Sequence, residues 1–390
     1  MLLNLLVIFF LSISGFAQTA RVLVDDRSRE TEILGQAQIT CLKSLSARKN
    51  LCPGKRGLLP QGHWRLQRQS NRLEVSHVVS EEKHQYPGHY FLLRGDLSWG
   101  EKKIDGLDIL MTKEAADWVL HISVETYLQG VLQSEVPASW PLEALKAQAV
   151  ASRSYFLFKK LSGDGHFDVR SDVMDQVFQL KKQIHPNIVN AVKLTERQIL
   201  VEEPTQHIFP AYFHSDCGGH TSSEGTVWRK PSSINKPVAD PFCEKASQNN
   251  WTFKMRKDQL MEKLHQLFRL PQDVVLQSIL PRSEGVHRAL IVDFMFSGNL
   301  VKRLNANEFR KALGFSNLKS THFKVESAWE HFVFSGRGFG HGVGMCQWGA
   351  KRWAVQGKTY REILKHYYPR AGLRRLTMDK PKKLQAQATY

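Results

Sequence analysis

The 390 residues carry 54 Lys and Arg against 37 Asp and Glu, a formal net charge of +17, and 42% of them are hydrophobic. That is enough apolar material for about two packed domains, and no apolar run after residue 17 approaches the roughly 18 residues needed to cross a bilayer as a helix. The positive excess points to an anionic partner, although solubility alone also accounts for such a charge.

Residues 1–17, MLLNLLVIFFLSISGFA, hold no charged side chain and close on small residues near Gly15 and Ala17. This predicts a secretory signal peptide cleaved after Ala17, with an uncleaved anchor as the alternative because Lys and Arg are missing from its start. The remainder is expected in the periplasm, cell envelope or extracellular space, with no transmembrane span once the signal is removed. An exported chain seldom meets nucleic acid, so nucleic acid is set aside as a partner. Bare cell-wall glycan is a better fit, since each muramic acid keeps a lactyl carboxylate.

Residues 18–85 form an N-terminal β-rich region. Alternating segments at 20–24, 89–95 and 107–112 predict short strands. A helical stretch follows, Val124 to Leu132 and then Pro141 to about Lys160, broken at Pro137. Pro141 suits a first helical turn and Glu143 complements the N-terminal dipole. Leu142, Leu145, Ala149, Ser152 and Phe156 recur at helical spacing and define one buried face. Strands are expected at 198–202 and 207–213, and a basic amphipathic helix at 256–268 that reads as an insertion or spacer. Asn305 with Glu308 and Gly314 bracket a short helix, and Thr359 with Glu362 open another that ends before Pro369. Residues 374–390 read as a basic, flexible tail. The fold class is α+β, with irregular mixed sheets around a central helical segment.

Three segments can carry chemistry. In YLQGVLQSEVPASWPLEALKAQAVASRSYFLF, residues 127–158, Glu135 stands at the helix break beside Val136, Pro137 and Trp140. Apolar neighbours raise a carboxyl pKa toward the range of a general acid; on composition alone a solvated glutamate at a helix end is the more ordinary reading. In GRGFGHGVGMCQWGA, residues 336–350, alternating glycines including Gly340 and Gly342 allow close backbone approach to a ligand, and His341 and Gln347 supply polar groups. No Gly-Lys-Ser/Thr ends this run, so it is not a phosphate loop, and a tight irregular turn is its bland alternative. In AYFHSDCGGHT and DPFC, His214, Cys217, His220 and Cys243 offer the donors of a structural zinc site. Five cysteines in an exported chain favour a Cys217–Cys243 disulfide there and a Cys41–Cys52 disulfide upstream, with Cys346 left as a thiol.

These segments, with LRGDLSW, DVRSDVMDQVF, LNANEFRKALGFSNLKSTHF and YREILKHYYP, resemble the SpoIID/LytB family over residues 86–373. The resemblance implies a peptidoglycan lytic transglycosylase acting on denuded glycan strands, with Glu135 as catalyst; Val136 stands where the family usually has Met. The expected substrate-binding residues are His341, Gln347, Gly340 and Gly342 on the glycine-rich loop. Gln148 and Arg153 join them from the helical segment, and Ser215 from AYFHSDCGGHT. Some relatives bind zinc through a His, two Cys and a second His around DVRSDVMDQVF. This chain keeps His166 but has Arg170, Met174 and Asp175 at the other positions, so no metal and no cofactor is expected. Cys346 stands where Ser is common.

In the implied reaction Glu135 protonates the glycosidic oxygen as oxocarbenium-like charge develops. It then takes the proton of the muramic C6 hydroxyl, closing a 1,6-anhydro ring without water. The partners are glycan strands and an amidase that removes stem peptides. The competing reading is a glycan-binding amidase enhancer that cleaves nothing. A zinc hydrolase built on His214, Cys217 and His220 is the third, weakened by the lack of a carboxylate at motif spacing.

Overall fold

The computed structural model describes residues 19–24, 30–43, 57–69, 72–111, 116–163, 165–229, 234–244, 250–283 and 288–376. The signal segment 1–17, Cys52 and residues 377–390 lie outside them. The chain is mixed α+β and divides into two compact units. Of the described residues, one takes those from 19 to 140, Gln148–Ile199 and 373–376; the other takes those within Pro141–Ala147 and Leu200–Gly372.

The first unit is built on a ten-stranded sheet. Its strands are β1 (Thr19–Val24), β2 (Glu30–Leu42), β3 (Leu58–Gln69), β4 (Arg72–His77), β5 (Lys83–Pro87), β6 (Tyr90–Trp99), β7 (Lys102–Ile104), β8 (Gly106–Met111), β9 (Ala116–Ser123) and β10 (Val169–Arg170). They run in the order β10-β1-β9-β8-β6-β2-β3-β4-β5, with β7 on β6. Two-residue alternation drives it: in β2, Ile33, Ala37, Ile39 and Cys41 turn inward while Glu32, Gln36 and Gln38 face water. Because β2 pairs with β6, placing Ile39 opposite Leu93, the expected boundary near residue 86 falls inside one sheet.

Ser123 ends β9 and caps α1 (Val124–Glu135), its hydroxyl accepting from Thr126 N–H at 3.1 Å. α2 (Leu142–Ser162) and α3 (Pro186–Leu194) follow. The spacing in α2 predicts one apolar face, yet residues 147–157 are buried all round. Tyr127 of α1 packs on Phe156 and Phe178 with ring centroids 5.2 and 5.3 Å apart. Fully burying an apolar side chain such as Phe156 contributes about 1.5–3 kcal/mol. Buried Asp168 clasps Arg21 of β1 at 2.7 Å and Lys160 of α2 at 3.1 Å, fixing the start of the DVRSDVMDQVF segment.

In the rest of the chain the strands are β11 (Gln198–Glu202), β12 (Phe213–His214), β13 (Asn250–Arg256), β14 (Leu276–Ser283), β15 (Ala289–Phe296), β16 (Val301–Asn305), β17 (Phe323–Ala328), β18 (His331–Arg337), β19 (Met345–Cys346) and β20 (Ala371–Arg375). The helices are α4 (Glu224–Trp228), α5 (Pro241–Glu244), α6 (Lys257–Phe268), α7 (Ala306–Leu313), α8 (Gln347–Val355) and α9 (Tyr360–Tyr367). In the second unit β13-β18-β17 and β14-β15-β16 form three-stranded antiparallel sheets, and β12 pairs in parallel with β19.

The expected strand at 207–213 is reduced to an isolated bridge at Ile208 and the short β12, because Pro210 offers no N–H to a ladder. The helix read as a spacer is a core element instead: Leu260 and Leu264 of α6 are fully buried in a cluster with Phe294, Phe309 and Phe334. Capping appears as expected. Asn305 accepts from the amides of Asn307 and Glu308 at the start of α7, Gly314 ends it, and Thr359 with Glu362 forms a capping box on α9. Glu143 does more than complement a dipole, since it also accepts from Tyr360 N–H at 2.7 Å at the first turn of α9. The start of the expected tail is the end of β20. Among the described residues, no helix is long and apolar enough to cross a membrane.

Candidate active site

Glu135 is the last residue of α1. Its helix ends there because Val136 takes an extended conformation before Pro137, and Val136 N–H returns to Leu132 O. The carboxylate is partly buried, with buried Val136 and Trp140 close by in sequence, and Oε1 accepts from Val177 N–H at 2.8 Å. Val177 reaches it because the segment 176–179 lies directly on α1. A Cβ on Gly130 would stand 2.6 Å from the Phe178 ring and 2.7 Å from Gln179 O, so only glycine permits that approach. Further along, Gln133 exchanges hydrogen bonds with Gln183 O and His185 N–H at 2.9 and 2.7 Å. Burial, and then charge from Asp175, Glu135 and Asp168, holds the Tyr127 phenol well above its usual range; its hydroxyl has no hydrogen-bond partner among the described residues.

Two helical residues expected at the substrate are placed inside the first unit. Arg153 is 2% exposed, and its guanidinium grips Glu125 at 3.1 and 2.8 Å and the carbonyls of Gln198 and Val192. It ties α2 to α1. Gln148 is buried and donates to Ser152 Oγ at 3.1 Å, and Gln176 donates to Ser152 O at 3.3 Å.

In the second unit the glycine-rich loop packs against buried polar groups. At Gly344, with φ +71°, a Cβ would collide with Tyr212 O; at Gly342, with φ +86°, it would meet the Arg288 guanidinium at 2.6 Å. His341 turns inward among Tyr212, His214 and Trp228, at centroid distances of 6.1, 5.6 and 5.1 Å, and Nδ1 accepts from Val343 N–H. Burial, with His214 and two arginines nearby, holds it far below the usual imidazole range. By solvent exposure His341 is half-buried, whereas Gln347 is buried. His214 bonds Val343 O through Nδ1 at 3.1 Å; burial and then Arg288 bring it down to about 3, leaving a neutral ring. Ser215 instead lines an open cavity of about 340 Å³ with Trp251, Lys319, Phe339 and Trp348.

The cysteines depart from expectation. Cys41 is disulfide-bonded, but Cys217, Cys243 and Cys346 are three buried thiols, so the anticipated Cys217–Cys243 bridge is not formed. Cys217, Asp240, Cys243 and Cys346 bring their ligand atoms within 4.8 Å of one another, a set without His214 or His220. His220 instead bonds Thr221 O through Nδ1. Hydrogen bonds from Cys217 and Cys346 hold Cys243 far below the usual thiol range, while burial and then Cys243 push Asp216 up to about 8.

The family model for SpoIID, described as stage II sporulation protein, matches residues 112–201, the stretch that contains Glu135, Gly130 and Val177. Stage II sporulation protein D of Bacillus subtilis is 30% identical over 284 residues, covering 68% of this chain and 78% of that protein. The chain belongs to the SpoIID family. An uncharacterized protein of Brachyspira hyodysenteriae is 33% identical over 254 residues, 64% of this chain and 66% of its own. A protein named amidase enhancer from B. subtilis is 30% identical over 288 residues, 62% of this chain. The chain spans slightly under two thirds of the Brachyspira relative and 39% of the amidase enhancer.

The zinc ligands of some SpoIID relatives have no counterpart set here. Arg170 is a cation bonded to Asp172, Met174 is 57% exposed, and Asp175 is taken by Tyr155, Lys159 and the Arg170 amide. The residues do not fit that ion. Gly130 and Val177 were not legible as site residues; a lone glycine inside a strong helical pattern was the only signal, and it pointed to a close approach without naming the partner.

Proposed function

We propose that this SpoIID-family protein is an exported peptidoglycan lytic transglycosylase that cuts the MurNAc–GlcNAc backbone of denuded glycan strands, with Glu135 as general acid and base. The observation that carries the reading is the Val177 amide on Glu135 Oε1, which favours one carboxylate orientation at the end of a half-buried helix. A catalytic carboxyl must be aimed, and the amide from a second chain segment supports that requirement at Glu135. Glu135 delivers its proton to the leaving oxygen at muramic C1. The same group, now a carboxylate, takes the C6 hydroxyl proton as that oxygen closes on C1, so the proton count balances and no water is consumed. The net charge of +17 favours an anionic glycan.

The similarity to a protein named amidase enhancer supports a second reading, a glycan-binding partner of an amidase without cleavage of its own. Digesting denuded glycan with the purified chain and weighing the products separates the two. Ends in 1,6-anhydromuramic acid support the transglycosylase, reducing ends would make Glu135 serve a hydrolase, and bound but uncut glycan would favour the enhancer.

A further inference from the structure

We propose that Cys217, Cys243, Cys346 and Asp240 form a closed, four-ligand structural zinc site in the second unit. The four side chains come from three places in the sequence: Cys217 from the CGG turn, Asp240 and Cys243 from the DPFC turn at α5, and Cys346 from the N-cap of α8. Each is at most 1% exposed.

Two of the edges already have the lengths a tetrahedral ion requires, and all four ligand atoms lie within 4.8 Å of one another. Zinc bonds of about 2.3 Å to sulfur and 2.0 Å to oxygen give tetrahedral edges of roughly 3.8 Å between sulfurs and 3.5 Å between sulfur and oxygen. Cys243 Sγ and Cys346 Sγ are 3.6 Å apart, and Cys217 Sγ is 3.5 Å from Asp240 Oδ2. A disulfide joins only two sulfurs, which would strand the third beside a buried carboxylate.

The surroundings are those of a ligand shell. Cys346 Sγ accepts from the amides of Cys217 and Gly349, both at 3.2 Å, and Cys217 Sγ from Gly219 N–H at 3.4 Å. Asp240 is oriented through both oxygens, Oδ1 by Cys243 N–H at 3.1 Å and Oδ2 by the buried Tyr367 hydroxyl at 2.6 Å. Gly349 leaves the room for this pair, since a Cβ there would overlap both Asp240 Oδ2 and the Tyr367 oxygen. Three thiolates and a carboxylate around a divalent cation leave excess negative charge. Arg288, buried and bonded to Cys217 O at 2.8 Å, is within electrostatic reach of all three sulfurs and offsets part of it. Binding sends the thiol protons to solvent and leaves no open coordination position, which assigns the ion a structural role.

Metal analysis of the full chain after exhaustive dialysis should give one zinc per molecule, with Cys217, Cys243 and Cys346 alkylated only after denaturation with a chelator. Exchange for cobalt should produce a thiolate-to-cobalt charge-transfer band and tetrahedral visible bands, a test on unmodified protein that survives if cysteine variants misfold. Tyr367→Phe should weaken zinc retention by roughly 10- to 100-fold, as loss of an outer-shell partner does. Metal-free protein with three titratable thiols would overturn the proposal, and so would non-reducing peptide maps that link any two of these cysteines.

Discussion

Val177 N–H stands 2.8 Å from Glu135 Oε1, joining a helix end to a segment 42 residues away. Glu135→Gln keeps the size and an oxygen for that amide but cannot deliver an acidic proton. The expected outcome is a folded protein that still binds glycan and has lost roughly 100- to 10,000-fold in turnover, near the upper figure because one group serves both proton transfers. Product release from denuded glycan, beside binding by the same variant, checks it. Turnover equal to the parent would remove Glu135 from the chemistry.

Gly130→Ala separates two opposing effects of known size. Alanine inside α1 gains about 1 kcal/mol of helix propensity, whereas overpacking against the Phe178 ring and Gln179 O costs about 1–3 kcal/mol. A net destabilisation is expected, read as a lower urea midpoint, together with reduced turnover as Val177 is pushed from Glu135. An unchanged or raised midpoint would mean the 176–179 segment yields freely.

What the sequence made legible was local. The Thr359–Glu362 capping box and the Asn305 cap span four residues each, so their chemistry is complete within a short window. The course of α2 was readable from its spacing, but its burial on every side was not, because neighbours from elsewhere in the chain decide that. The Tyr360–Glu143 bond, 217 residues apart, and the Cys346–Cys217 contact, 129 apart, have no periodicity to betray them. The alternating glycines read as a backbone open to a ligand, with His341 and Gln347 as its polar groups; they serve close packing on Tyr212 and Arg288 instead, with Gln347 buried and His341 half-buried.

His214 sets a pH dependence for stability. Its folded value of about 3 lies below the ordinary 6.5, lowered by burial, then Arg288 and more distantly Arg310, against the opposing pull of Val343 O and Cys243. The unfolded chain therefore binds the extra proton between those values. The contribution is intact above about pH 6.5 and is lost as pH falls toward 3, by at most ~1.4 kcal/mol per unit. Urea midpoints from pH 7 to 4 should fall less steeply in His214→Gln than in the parent. Identical slopes would show that other groups govern the acid limb.

The cavity beside Ser215 offers separable tests of glycan attraction. Trp348 lies on its wall with Lys351 Nζ 4.7 Å from the ring centroid, and the exposed Lys319 stands at its edge. An aromatic anchor in a recognition site is worth about 2 kcal/mol or more, roughly 30-fold in affinity, while an exposed cation contributes ~0.2–1 kcal/mol and is screened over about 8 Å at physiological salt. Trp348→Ala should therefore weaken sedimentation with purified wall glycan at every ionic strength. Lys319→Ala should weaken it only at low salt, by less than about fivefold at the quoted energies. If both variants bind like the parent across the series, the cavity is not where glycan docks, and the charge excess acts from another face of the protein.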